Sequence, residues 1–232
     1  MIYVMSDLHG RYDLFCSMLD RIHFGEEDEL YLLGDLCDRG HQSAQLYWDV
    51  MGRDNVHCVM GNHEAMLLEA LPHAFGFLQQ AGYGATLDLE VWSACGGGRT
   101  CASFLELDAE RVRRIYEYVK ALPPYRVVEV EGRRYLMVHA GLEHYDRTRL
   151  LTDYAPEELM WYALDYHDTY YSMLFDRILV GHTPTFLLNR TTPATVFYGR
   201  GNVINLDCGA AFSLDGGRLA CLCLNTMAVF YE

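Results

Sequence analysis

The sequence predicts an α/β fold, and three observations carry the prediction. Short apolar runs stop abruptly at polar clusters, each run is followed by apolar residues at helical spacing, and this rhythm breaks at about 72–124 before returning as mainly β segments.

The first unit is an apolar strand at 2–6 ending in S-D-L-H-G, then a helix at 13–22 with Leu14, Phe15, Met18, Leu19 and Ile22 on one face. The second is L-Y-L-L-G-D-L-C-D-R-G-H at 30–41, in which an apolar run fits a strand buried on both faces. It delivers Asp35, Asp38 and Arg39 to a loop at the strand's C-terminal end, where open α/β sheets hold ligands. Two carboxylates and an arginine so close together also fit an ordinary polar loop, so this block alone does not decide. A helix at 43–53 follows. The third unit, 56–60, ends in G-N-H-E before a helix at 65–71, so three consecutive units place polar residues at one end of a sheet.

Between 72 and 124 the chain is aromatic and glycine-rich, includes W-S-A-C-G-G-G-R-T at 92–100, and closes with a helical pattern at 109–122 and a Pro-Pro stop. No flexible linker flanks it. It reads as a helical insertion over the site within a single domain, 1–232. Its G-G-G lacks a following G-K-[ST] and reads as a plain turn rather than a phosphate loop. Alternating runs at 125–130 and 133–138, separated by Glu131-Gly132, form a hairpin ending at H-A-G. A helix is expected at 157–174 and a strand at 178–180 ending in G-H-T-P. From 196 onward come short β segments with glycine turns, including 219–224 and 227–231.

Composition narrows the function. A net charge of −14 excludes non-specific binding to a nucleic-acid polymer, which needs an excess of basic residues. With no basic leader and no run of eighteen apolar residues, a cytoplasmic protein with no membrane association is expected. The eight scattered cysteines contain no C-x-x-C pair, so structural zinc is not expected on them.

Asp7, His9, Asp35, Asn62, His139 and His182 all fall at the C-terminal ends of apolar strands. Carboxylate, amide and imidazole together suit divalent metals, and packing alone does not readily produce six such coincidences.

The blocks D-L-H, G-D-L-C-D-R-G, G-N-H-E, H-A-G and G-H-T resemble those of the calcineurin-like metallophosphoesterases. Within these, G-D-x-x-D-R-G and G-N-H-E resemble the phosphoprotein phosphatase branch, with its small bacterial serine/threonine phosphatases and related diadenosine-tetraphosphate hydrolases. The resemblance covers nearly the whole chain and implies a metallophosphoesterase-type α/β/β/α sandwich. It implies one metal on Asp7, His9 and Asp35 and a second on Asp35, Asn62, His139 and His182, with Asp35 as the bridge. Manganese is the expected metal, with iron, zinc and magnesium as alternatives. It further implies that His63 donates a proton to the leaving group, that Asp38 holds the other ring nitrogen of His63, and that Arg39 binds phosphate oxygens. Where wider relatives carry G-H-T-H, this chain has Pro184, as the phosphoprotein-phosphatase branch does.

One departure matters. Small phosphatases of this type show L-L-W-x-R after H-A-G, whose arginine is a second phosphate ligand. Here L-M-W-Y-A places Ala163 there. Arg99 is the candidate replacement, with Arg147 and Arg149 behind it. The expected activity is hydrolysis of phosphomonoesters, on a phosphorylated protein or a small phosphate ester. The alternatives are a dinucleoside-polyphosphate hydrolase and, from another class, a non-catalytic phosphate-binding module.

Overall fold

The three strand–helix units form as their sequence pattern requires. In the computed structural model, which describes residues 1–75 and 83–232 and only the backbone of 83–88, they are β1 (Ile2–Met5), α1 (Tyr12–Arg21), β2 (Glu29–Leu32), α2 (Ser43–Met51), β3 (Val56–Cys58) and α3 (Asn62–Ala74). β1, β2 and β3 pair in parallel with Met5 opposite Leu32 and Leu32 opposite Cys58, so their C-terminal ends lie level at one sheet edge. The expected insertion includes residues 76–82, which lie outside the described residues. Of the rest, residues 72–74 continue α3 through Pro72, and the remainder carries α4 (Tyr83–Ala94), α5 (Gly97–Phe104) and α6 (Ala109–Lys120). α6 starts at Asp108, whose carboxylate accepts from the Arg111 amide at 2.8 Å, and buries Val112, Ile115 and Val119 at helical spacing.

The hairpin is β4 (Tyr125–Val130) and β5 (Arg133–Val138), the expected spans. Its two turn residues, Glu131 and Gly132, have φ of 51° and 77°, as a tight hairpin turn demands. Then come α7 (Pro156–Met160), β6 (Arg177–Val180), α8 (Thr185–Asn189), β7 (Phe197–Tyr198), β8 (Val203–Asn205), β9 (Ala220–Cys223) and β10 (Val229–Tyr231). Among the described residues there are two five-stranded sheets, ordered β10-β9-β1-β2-β3 and β4-β5-β6-β8-β7. In the second sheet Met137 pairs with Leu179 and Leu179 with Ile204 in parallel, which levels His139, His182 and Asp207 at its edge.

The expected two-sheet sandwich is observed. Val4, Leu33, Val59, Ala220 and Leu222 from the first sheet meet Tyr135, Met137, Leu179 and Ile204 from the second in one buried layer. The outer face of the first sheet packs on α1, α2, α3 and α6 through Phe15, Met18, Leu46, Leu67 and Ile115. No helix among the described residues is long and apolar enough to cross a membrane.

Two expectations are corrected. The helix expected at 157–174 is confined to α7, and residues 161–176 run as loop. Side chains there take the backbone groups a helix would pair: Asn202 bonds both the amide and the carbonyl of Tyr170, Tyr145 accepts from the Tyr171 amide, and Asp165 accepts from the His167 amide. Tyr166, Tyr170, Tyr171 and Phe175 instead cover the outer face of the second sheet. The helix expected at 65–71 begins three residues earlier, so Asn62 and His63 stand in the first turn of α3.

Candidate metal centre

The sheet edges bring Asp7, His9, Asp35, Asp38, Arg39, Asn62, His63, His139 and His182 together. The first two loops are stitched to each other by backbone bonds from the amides of Asp7, His9 and Gly10 to the carbonyls of Gly34, Asp35 and Leu36. Gly34 has φ of 89°, and a side chain there would sit 2.7 Å from the Gly61 amide, so glycine is required. Asp7, His9, Asp35, Asp38, Arg39 and His182 have φ between 45° and 70°. They make up half of the twelve non-glycine positive-φ residues among those described. Such strain costs about 1–3 kcal/mol per residue and collects where side chains must be aimed at a point.

Asp35 sits at the centre. It shares one group of convergent donor atoms with His9 and His63 and a second with His139 and His182. His9 Nδ1 lies 2.8 Å from the Cys37 carbonyl and His139 Nδ1 2.7 Å from the Leu33 carbonyl. Each Nδ1–H is thus committed to a backbone oxygen, which leaves the Nε2 lone pair facing the cluster. Asn62 Oδ1 is 2.9 Å from His139 Nε2 and 3.0 Å from His182 Nδ1. Asp7 accepts from the His182 amide at 3.0 Å and approaches His9 Nε2 to 4.0 Å.

These donors fit divalent cations. Lone pairs of imidazole, amide and carboxylate face one another, and Asp7, Asp35 and Asp207 are each at most 2% exposed, a concentration of buried negative charge that cations balance. Burial first, then the adjacent Arg39 charge, holds His9 well below its usual range. Burial and the neighbouring His139 bring His182 down to about 4. Both rings are therefore neutral at pH 7, the form that ligates a metal. Burial, with Asp7 and Glu64 adding to it, raises Asp35 well above the usual carboxylate range.

His63 differs. Its Nδ1 is 2.6 Å from Asp38 Oδ2, and its Nε2 is 3.1 Å from Arg39 Nη2 and 3.8 Å from Asp35. Burial pulls its pKa down, but the Asp35 charge and the Asp38 hydrogen bond outweigh that and raise it overall. Arg39 also places Nη1 2.5 Å from His9 Nε2, and its guanidinium lies 5.3 Å from the Phe212 ring centre.

Arg99, expected as a phosphate donor, directs Nη1 to the Arg39 carbonyl at 2.6 Å instead. Arg149 is held by both oxygens of Glu158 at 2.8 and 2.7 Å, beside α7. Arg147 is exposed.

Three residues were not assigned a role from sequence. Trp92 and Thr100 both donate to the Asp38 carboxylate. Glu64, fully buried, accepts from the amides of Asp35 (2.7 Å), Leu36 (2.8 Å) and Gly61 (3.0 Å) and from the Tyr47 hydroxyl (2.8 Å), tying two site loops together. An acid at the third position of α3 is the local capping signal that points to one of those bonds. Glu64→Ala leaves four buried donors unpaired. It should cost roughly 3 kcal/mol or more, which for a chain of this size lowers Tm by about 6–12 °C. Calorimetry on the metal-free protein checks this, and an unchanged Tm would remove Glu64 as the loop anchor.

The sequence profile of the calcineurin-like phosphoesterases matches residues 1–216. A symmetrical bis(5'-nucleosyl)-tetraphosphatase of Chromobacterium violaceum is 32% identical over 143 residues, 61% of this chain and 43% of that protein. Serine/threonine-protein phosphatase 2 of Salmonella typhimurium is 28% identical over 140 residues, 60% of this chain and 57% of that protein. The matches thus span about half of each relative's length. In fold, the chain is similar to a solved serine/threonine phosphatase from Saccharomyces cerevisiae with a TM-score of 0.63 at 16% identity, over 100% of this chain and 78% of that one. With the profile running over nearly its whole length, the chain belongs to the calcineurin-like phosphoesterase family.

Proposed function

We propose that the protein is a dinuclear-metal-dependent phosphatase hydrolysing phosphomonoesters, a serine/threonine protein phosphatase in its main reading. The observation that carries it is Asp35 shared between two groups of convergent ligand atoms. Asp7, His9 and Asp35 would hold one ion, and Asp35, Asn62, His139 and His182 the other. When bound, the ions supply Lewis-acid activation of water and of the phosphoryl group. The chain does the rest. His63, fixed through Nδ1 by Asp38, would deliver a proton from Nε2 to the departing oxygen once Arg39, whose Nη2 lies 3.1 Å from that Nε2, turns to the phosphate. Arg39, with Nη2 beside that same Nε2, offers its planar fork to the phosphate oxygens. The segment at about 72–124 is read as an insertion within a single domain rather than a domain of its own.

A second reading, hydrolysis of dinucleoside polyphosphates, is favoured by the 32% identity to the C. violaceum tetraphosphatase and by Ala163, where a second phosphate arginine stands in small phosphatases. One panel separates the two. Metal-stripped protein is reloaded with manganese, iron, zinc or magnesium and given an aryl phosphate, a phosphopeptide and diadenosine tetraphosphate. Turnover of the first two supports the main reading, and a kcat/KM at least tenfold higher for diadenosine tetraphosphate replaces it with the second. No turnover with any metal leaves a phosphate-binding module.

A further inference from the structure

We propose that residues 92–100 form a clamp that positions the proton donor and the phosphate arginine together, with Trp92 and Thr100 as positioning residues of the reaction. This rests on the phosphatase reading above. Trp92 Nε1 donates to both oxygens of Asp38, at 3.0 and 3.1 Å. Thr100 Oγ1 donates to Asp38 Oδ1 at 2.8 Å and accepts from the Asp38 amide at 2.8 Å. One residue further on, the Gly96 carbonyl accepts from the Arg39 amide at 3.3 Å, and Arg99 Nη1 donates to the Arg39 carbonyl at 2.6 Å. The segment therefore grips two consecutive residues of the site loop, both of which sit at positive φ.

The chemistry of the grip is specific. Asp38 is fully buried, and Trp92, Thr100 and His63 Nδ1 are its partners. An ionised carboxylate only accepts, so donors on both oxygens fix its plane and keep the proton on His63 Nδ1, which leaves Nε2 for the leaving group. The glycines serve the same end. Gly96 has φ of 104°, and a side chain there would lie 2.7 Å from the Arg39 amide nitrogen. A side chain at Gly97 would run into the Trp92 indole. Gly96 and Gly97 are thus the close-approach surface of the clamp against Arg39 and Trp92.

Trp92 also packs in the core, so the test must separate donation from packing. Thr100→Val keeps bulk and removes its donor, and Trp92→Phe keeps an aromatic ring while removing the indole N–H. On an alkyl phosphate, whose leaving group needs a proton, each should lower kcat about tenfold with little change in KM, and on an activated aryl phosphate less than about twofold. In a His63→Asn background neither should cause further loss, because the group being positioned is gone. Arg99→Ala acts through Arg39 and should lower kcat/KM about tenfold on both substrates. A readout without metal or turnover is the proton NMR signal of His63 Nδ1–H in the metal-free protein. It should shift in Trp92→Phe and Thr100→Val and return in Thr100→Ser. Equal losses on both substrates, further loss in the His63→Asn background, or an unmoved signal would reduce Trp92 and Thr100 to core packing. If the wild type turns over no phosphate ester with any metal, the phosphatase reading fails, and the NMR series alone decides the clamp.

Discussion

Asp35→Asn should leave a folded protein that binds one metal fewer and has lost activity by roughly 10³-fold or more. The magnitude follows from the position of Asp35 between the two groups of ligand atoms: losing its charge weakens both sites, and metal activation is worth several kcal/mol at the transition state, each 1.36 kcal/mol being tenfold. The fold should survive for a physical reason. The carboxylate is 2% exposed, and Oδ1 accepts from the His63 amide at 3.1 Å, a bond an asparagine oxygen also accepts. Removing a buried negative charge relieves desolvation, so without metal the variant should melt at or above the wild-type temperature. Metal analysis by mass spectrometry and calorimetry on the stripped protein check the two halves separately. Two retained metals with near-normal turnover would remove Asp35 from the bridging role.

The positions of these groups were legible in sequence because a buried strand must end where its apolar run ends, and the parallel register then levels those ends at one edge. Asp7, Asp35, Asn62, His139 and His182 follow from that alone. What each side chain does at the edge depends on backbone twists that apolar periodicity does not encode, such as φ of 70° at Asp38 and 64° at Arg39. The 161–176 loop was misread because Tyr166, Tyr170, Tyr171 and Phe175 are spaced much as a helix face would be, while the groups that unmake the helix, Asn202 and Tyr145, lie 32 and 26 residues away in sequence. The clamp was hidden for the same reason. Trp92 and Asp38 are 54 residues apart, and nothing local in W-S-A-C-G-G-G-R-T says which carboxylate an indole N–H will find. From sequence, the segment is expected only to lie over the site.

His63→Asn should slow turnover by roughly 10²–10⁴-fold on a phosphate ester with a poor leaving group, while both metals stay bound. The geometry separates this residue from the proposed ligands even though its donor atoms lie among theirs. His9 and His139 commit Nδ1 to backbone carbonyls and present Nε2 lone pairs, whereas His63 commits Nδ1 to the charged Asp38 at 2.6 Å. A carboxylate partner favours the protonated ring, and in the metal-free protein His63 is raised where His9 and His182 are lowered. A neutral, aprotic ring suits a metal, and a protonated one suits a departing alkoxide. The loss should therefore track the leaving group. An alkyl phosphate should suffer the full effect and an activated aryl phosphate, which departs without a proton, a much smaller one. Asp38→Asn should show the same ordering, because it keeps the imidazole in place but removes the charge that sets its tautomer and favours the protonated ring. Kinetics on both substrates, with metal content measured on the same samples, settle the assignment. Equal losses on the two leaving groups would count against proton donation, and a missing metal in His63→Asn would place His63 among the ligands instead.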